Sequence, residues 1–169
     1  MSRLSTKEIS PSVAPTPGLD ETDIDILTEL QGNGRITNNE LAFRVGISPP
    51  QCLRRVRALR ERDIIKGVRA LVDLQLLNYD IVLFAMIQLH SHAQSELDDF
   101  ERFVWTQTIA RESWLLSGDV DYIMKCVAHD LSAIRAFVSA LSLVPNIRTI
   151  RTSLALRNIK DAALVLVGN

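Results

Sequence analysis

Five arginines, Arg54, Arg55, Arg57, Arg60 and Arg62, fall within nine residues, and Gln51 stands three residues before the first of them. Guanidinium and carboxamide groups make two-pronged hydrogen bonds with guanine and adenine edges in a DNA major groove, and guanidinium also pairs with phosphate. On a helical wheel of about 100° per residue, Cys52, Leu53, Val56 and Leu59 form one stripe, and Pro50, Gln51, Arg54, Arg57 and Ala58 fall opposite. The first stripe is expected to face a core. The second is expected to face a nucleic acid, with Gln51 and Arg54 reading base edges and the small Ala58 allowing close approach. Arg55, Arg60 and Arg62 flank this face and suit phosphates, which position a protein without reading sequence. Ser48, Pro50, Gln51, Arg54, Arg55, Arg57 and Arg62 form the candidate DNA-contacting set.

Other chemistry is thinly represented. His90 and His92 are spaced as a strand pair on one face, but His129 is the only other histidine, so they read as polar positions at strand ends rather than metal ligands. Cys52 and Cys126 lie far apart with no paired spacing, which predicts reduced, packed thiols rather than a disulfide or a zinc site. The seven glycines are scattered, and none forms a phosphate-cradling loop. No catalytic constellation is visible, and neither a metal nor a cofactor is expected.

The arginines must be held by the elements around them. Asp20 can cap a helix carrying Ile24, Leu27 and Leu30, closed by Gly32. Thr37 and Glu40 form a capping-box pattern, Ile36 can staple to Leu41, and this second helix runs to Val45 and ends at Gly46. Ser48 and Gln51 repeat the box, Ile47 is the staple, and Pro49 takes the first helical position, where its missing N–H costs nothing. Two short helices joined by a tight glycine-containing turn make a helix-turn-helix arrangement with the arginine-rich helix as its second member. The alternation from Lys66 to Val72 predicts a strand that would form a wing. Residues 1–18, rich in Ser, Thr and Pro without apolar periodicity, read as a flexible arm.

Charge follows the same division. Residues 1–34 carry two basic and six acidic side chains, residues 35–69 nine and three, and residues 70–169 eight and eleven. The formal net charge of −1 therefore hides a block of +6 between segments of −4 and −3, the asymmetry of a polyanion-binding module joined to something else. At 169 residues, 47% hydrophobic and 23% charged, the composition is that of one large or two small globular domains. No apolar run approaches a membrane span and no charged-then-apolar leader opens the chain, which reads as cytoplasmic.

Residues 79–169 follow another pattern. Ile81 to Leu89 is nearly continuous in aliphatic residues and predicts a strand buried on both faces or close to it. A helix follows, capped by Ser95 and carrying Leu97, Phe100, Phe103 and Val104. Ile109–Ser117 and Asp121–Val127 are two strand-like runs joined through the turn residues Gly118 and Asp119. A helix after Asp130 carries Leu131, Ile134, Val138 and Leu141 and stops at Pro145, and Ile147–Leu156 alternates as a fourth strand. The order βαββαβ predicts a ferredoxin-like domain with both helices on one face of an antiparallel sheet. Covering the other face with a second copy predicts a homodimer. The Ala162–Val167 run is apolar enough to add a strand to the sheet or its neighbour. The fold class expected is thus α+β, an N-terminal winged helix-turn-helix domain (19–66), a wing strand and linker (67–78), and a C-terminal ferredoxin-like domain.

The helix opening Leu19-Asp20, the turn Val45-Gly46-Ile47-Ser48 and the hairpin Ser117-Gly118-Asp119-Val120-Asp121-Tyr122 together resemble the Lrp/AsnC family of feast-or-famine transcriptional regulators, over Leu19 to about Lys160. The resemblance implies a winged helix-turn-helix domain joined to an effector-binding domain, assembled as dimers that associate into tetramers or octamers. It also implies an amino acid sensed at the dimer or dimer-dimer interface. By motif, Gly118, Asp119, Asp121 and Tyr122 lie on the hairpin lining that pocket, and Ser153 and Leu154 on the last strand facing it. A Gly-Asp turn offers both acceptors for an ammonium and backbone donors for a carboxylate.

The function expected is that of a sequence-specific, nucleoid-associated regulator of double-stranded DNA whose dimer places two arginine-rich helices in successive major grooves, about 10 bp apart. A rival from the enzyme class is a siroheme-type tetrapyrrole decarboxylase, because a small set of such enzymes resembles the same two-domain family. The intact arginine-rich helix argues against it, since function follows the site and not the fold.

Overall fold

The computed structural model describes residues 18–160. Most of the expected N-terminal arm and the Ala162–Val167 run lie outside the described residues. The chain divides into two compact units, one reaching Leu71 and the other running from Val72 to Ile159.

The first unit holds three helices, α1 (Glu21–Gly32), α2 (Asn38–Arg44) and α3 (Pro49–Glu61). Each begins at a residue able to satisfy the free N–H groups of a first turn. Asp20 accepts from Asp23 N at 2.9 Å, and Asp23 reaches back to the Asp20 amide. Thr37 Oγ1 accepts from Glu40 N at 3.2 Å. Glu40 does not return the bond as its capping-box spacing predicts, because its carboxylate accepts from Arg44 Nη2 at 2.7 Å instead. The three helices close over Ile26, Leu27, Leu41, Ala42, Cys52, Val56 and Leu59. Burying Ile26, Leu41 and Leu59 contributes about 1.5–3 kcal/mol each. Leu53, expected in the buried stripe, is 41% exposed. It lies about 100° round the helix from Cys52, at the edge of the stripe, where the small bundle no longer reaches.

The strand expected over Lys66–Val72 is not formed. Alternation signals a strand only where a neighbour supplies the ladder, and residues 66–72 have none among the described residues. Val68 instead packs over Gly34, where a Cβ would meet its Cγ1 at 2.7 Å.

The second unit runs β1 (Ile81–Leu89), α4 (Gln94–Thr106), β2 (Ala110–Leu115), β3 (Tyr122–Ala128), α5 (Leu131–Ser142) and β4 (Ile147–Leu154). The sheet order is β2-β3-β1-β4 and every pairing is antiparallel, the ferredoxin-like topology expected. The cap of helix α4 lies two residues earlier than expected, on Ala93 rather than Ser95, because Ser91 Oγ accepts from the Ala93 amide and sets the turn there. Phe100, Phe137 and Leu141 from the helices meet Leu83, Ala85, Ile87, Met124 and Cys126 on one sheet face. Strand β1 is fully buried on this face alone: Val82, Phe84, Met86 and Gln88, which alternate with the core residues, are only half-buried. In register beside them stand Trp114, Ile123, Lys125, Arg151 and Ser153, so the helix-free face is a patchwork of apolar side chains and charged or polar ones.

Candidate functional sites

In the first unit, the turn between α2 and α3 is made by Gly46, whose φ of 68° is a left-handed conformation that side-chain-bearing residues rarely adopt. The Ile47 amide then donates to Ala42 O at 3.0 Å, closing the turn. Asn38, the first residue of α2, donates from Nδ2 to Pro49 O at 2.9 Å and so ties the two helix starts together. Nothing in its spacing announces a partner eleven residues away. Gln51 Oε1 accepts from the Ser48 amide at 3.3 Å and from Ser48 Oγ at 2.9 Å, leaving the Gln51 amide nitrogen to point outward.

The basic residues separate into two groups. Arg44 Nη1 donates to Glu29 at 2.9 Å and its Nη2 to Glu40, and these carboxylates raise its pKa above the usual value. Arg55 Nη1 reaches Asp20 Oδ2 at 2.7 Å and Asp23 Oδ1 at 2.8 Å. The Asp23 amide and then Arg55 hold the Asp20 carboxyl below its ordinary range. Arg55 thus clamps α3 to the start of α1, a different place from the phosphate contact its flanking position suggests. Arg54, Arg57 and Arg60 are exposed and form no ion pair among the described residues. Arg54 and Arg62 line one shallow recess with Asp23 and Ala58. Arg62 itself caps the end of α3. The outward face is therefore Pro50, Gln51, Arg54 and Arg57.

In the second unit the hairpin residues diverge. Gly118 has a φ of 134°, which the turn requires. Asp119 O accepts from Gln88 Nε2, docking the hairpin tip on the end of β1. Asp121 turns inward: its Oδ2 accepts from the Leu89 amide at 2.6 Å and its Oδ1 meets His92 Nε2 at 2.8 Å. Burial raises its pKa, but the Leu89 amide and His92 outweigh that and leave it below the usual carboxylate value. Tyr122 is 3% exposed, and its hydroxyl donates to Glu101 Oε1 at 2.8 Å. Burial first, then Glu101, pushes that phenol well above its usual pKa. Ser153 and Leu154 are exposed and pair with Phe84 and Leu83, four to five residues along β1 from Gln88. At about 3.3 Å per residue the two halves of the expected pocket lie roughly 15 Å apart in one chain. Burial also raises both thiols, Cys126 to about 11, so neither is a ready nucleophile. No group of three or more His, Cys, Asp or Glu able to hold a metal occurs among the described residues.

Residues 19–66 match the winged helix-turn-helix DNA-binding family and residues 82–165 the Lrp/AsnC ligand binding domain. The leucine-responsive regulatory protein of Rhizobium meliloti is 45% identical over 148 residues, covering 87% of this chain and 95% of its own length. The chain belongs to the Lrp/AsnC family. Its Escherichia coli relative of the same name is 35% identical over 154 residues, covering 90% of this chain and 94% of that protein. Among solved Lrp/AsnC-like structures, a transcriptional regulator from Neisseria meningitidis in complex with L-Met has a TM-score of 0.81 at 33% identity, covering 88% and 97% of the two chains. An AsnC family transcriptional regulator from Agrobacterium tumefaciens also reaches 0.81, at 30% identity over 87% and 96%. The protein is thus a DNA-binding transcriptional regulator with a ligand-binding domain of the Lrp/AsnC type.

Proposed function

We propose that the protein is an amino-acid-responsive, nucleoid-associated regulator that reads DNA with the outward face of α3 and has no catalytic activity. The observation that carries this is the sorting of arginines: Arg44 and Arg55 are spent on ion pairs inside the unit, while Arg54 and Arg57 stand exposed beyond a glycine turn. A dimer made through the helix-free sheet face would bury Phe84, Met86 and Ile123 and present two copies of α3 about 10 bp apart. On this reading 19–66 is the DNA-binding domain, 67–78 the linker and 79–169 the effector-binding and dimerisation domain, preceded by an arm. The effector pocket joins Gly118, Asp119 and the Asp121-Tyr122 hairpin of one copy to Ser153 and Leu154 of another, since one chain holds them too far apart. Assembly beyond the dimer, into tetramers or octamers, belongs to the same proposal. The L-Met complex of the Neisseria relative supports an amino acid as the effector.

A thermal-shift screen of the twenty amino acids tests it. A true effector at 100 times its Kd stabilises by about 2.7 kcal/mol and changes affinity for the protein's own upstream DNA. Twenty silent amino acids would overturn the amino-acid reading, and absence of any DNA preference would overturn the whole.

A further inference from the structure

The segment from Lys66 to Asp80 is fastened near both ends and free in between. Near its start, Val68 packs over Gly34. Towards its far end a turn spans 74–78. Asp73 Oδ1 accepts from the Gln75 amide at 2.9 Å and from the Leu76 amide at 3.1 Å. The Asn78 and Tyr79 amides donate to Gln75 O at 2.9 Å and to Leu74 O at 2.8 Å. Asn78 takes a left-handed φ of 59°, which Asn tolerates better than most side-chain-bearing residues. His129 holds this turn down. Its Nδ1 lies 2.7 Å from Asn78 O, which can only accept, so Nδ1 donates. Its ring lies on that of Tyr79, with centroids 3.7 Å apart. His129 stands between the last residue of β3 and Asp130, the cap of α5, which accepts from the Ala133 amide at 2.8 Å. The turn is therefore fastened to two ordered elements of the second unit. Arg69, Ala70, Leu71 and Val72 differ: all four are exposed and form no hydrogen bond among the described residues. The boundary between the two units falls within them, after Leu71.

We propose that His129 and Tyr79 latch residues 73–80 to the second unit, confine the joint between the units to residues 69–72, and so determine which half-site spacings the protein accepts. The inference rests on the reading of α3 as the DNA-contacting helix and of the second unit as the dimerising one. Four extended residues span about 14 Å, whereas an open latch frees the chain from Arg69 to Asp80, twelve residues and about 40 Å. Two tethered heads bind together only where their tethers can span the sites, and joint affinity collapses beyond that reach. A short joint thus makes the spacing of half-sites a property that is read, and a long one erases it. His129 and Tyr79 act here as positioning residues, without touching DNA.

Hydrogen exchange and DNA binding, both on the full-length protein, test the latch and its consequence separately. In the wild type the Asn78 and Tyr79 amides are protected, and His129→Ala, at an exposed position, speeds their exchange by about tenfold or more. Duplexes are built from the footprinted half-sites of the protein's upstream DNA, at their natural spacing and about 5 bp wider, half a helical turn. The wild type loses about tenfold or more in affinity on the wider duplex, and His129→Ala and Tyr79→Ala lose less than about threefold. Inserting Gly-Ser-Gly after Leu71 lengthens the joint with the latch intact, so it relaxes spacing in the same way while both amides stay protected. Protection unchanged in His129→Ala overturns the latch. A wild type indifferent to spacing, or an insertion and latch variants that keep its spacing preference, overturns the consequence. A wild type with no preference over random DNA removes the spacing role together with the DNA reading, and exchange still decides the latch by itself.

Discussion

Asn38 Nδ2 donates to Pro49 O at 2.9 Å, so the first residue of α2 holds the first residue of the helix that carries Arg54 and Arg57. On the proposed reading α3 is the recognition helix, and it is thereby fixed at the end proposed to meet the DNA, where a small tilt displaces Gln51 and Arg54 together.

Asn38→Ala is expected to cost about 0.5–1.5 kcal/mol of stability, the net value of one hydrogen bond. DNA affinity should fall by more than that stability loss accounts for. Chemical denaturation and fluorescence anisotropy on the same samples check both, and Asn38→Asp, which keeps the size but loses the donor, should resemble Ala.

The Arg55 clamp makes the first unit sensitive to acid. The Asp20 carboxyl lies below its unfolded value of 3.8. Its contribution is therefore fully present above that value and lost as pH falls through the lower, folded pKa. Thermal melts between pH 5 and pH 2, all markers of about the carboxylate range, should show a decline that Arg55→Ala flattens. Arg55→Ala should also leave the salt dependence of DNA binding nearly unchanged, because its guanidinium is already paired.

Asp121→Ala should undock the hairpin from the end of β1, since the Leu89 amide loses a 2.6 Å bond and His92 its partner. The cost is about 1–3 kcal/mol for a hydrogen-bonded, largely enclosed charge. Hydrogen exchange at the Leu89 amide should rise with it. An amino-acid response lost while Leu89 stays protected would instead make Asp121 a direct ligand contact.

Met86→Asp places a charge in the middle of the helix-free face, in register with Ile123 and Arg151. Analytical ultracentrifugation should find the wild type as a dimer or larger and this variant shifted to monomer, with unchanged helical content. A wild-type monomer would remove the pairing of sheets from the account.

Local grammar was legible throughout the chain, because caps and turns are set by residues close in sequence. Ser48 with Gln51, Gly46 and the Gly118-Asp119 turn all stand where their types predict. The order of the second unit's elements followed from periodicity together with the caps expected at Ser95 and Asp130, the Gly118-Asp119 turn and the stop at Pro145. What escaped was each feature decided by a distant partner. Arg55 reads as a phosphate contact until Asp20, thirty-five residues earlier, is folded beside it. Glu40 prefers to its own helix cap an Arg44 that is also held by Glu29, fifteen residues earlier in the chain. The strand expected at Lys66–Val72 has the right alternation and, among the described residues, no neighbour to pair with. Tyr122 belongs to a conspicuous motif, yet its ring lies in the core against Phe100 at 4.6 Å between centroids. In the candidate pocket, Asp121 is engaged within its own chain and Ser153 lies far along the sheet, a separation that no spacing in sequence conveys.

The exposed arginines of α3 are proposed to read sequence. This is tested most directly by the ratio of affinities for the protein's upstream DNA and a random duplex of equal length, measured at one salt concentration for wild type and Arg54→Ala. The wild type should favour its own site by about 10³ or more, and Arg54→Ala should cut that ratio by the worth of a bidentate base contact, about 1–3 kcal/mol. A wild-type ratio near one, or an Arg54→Ala variant that weakens both duplexes equally, would contradict it.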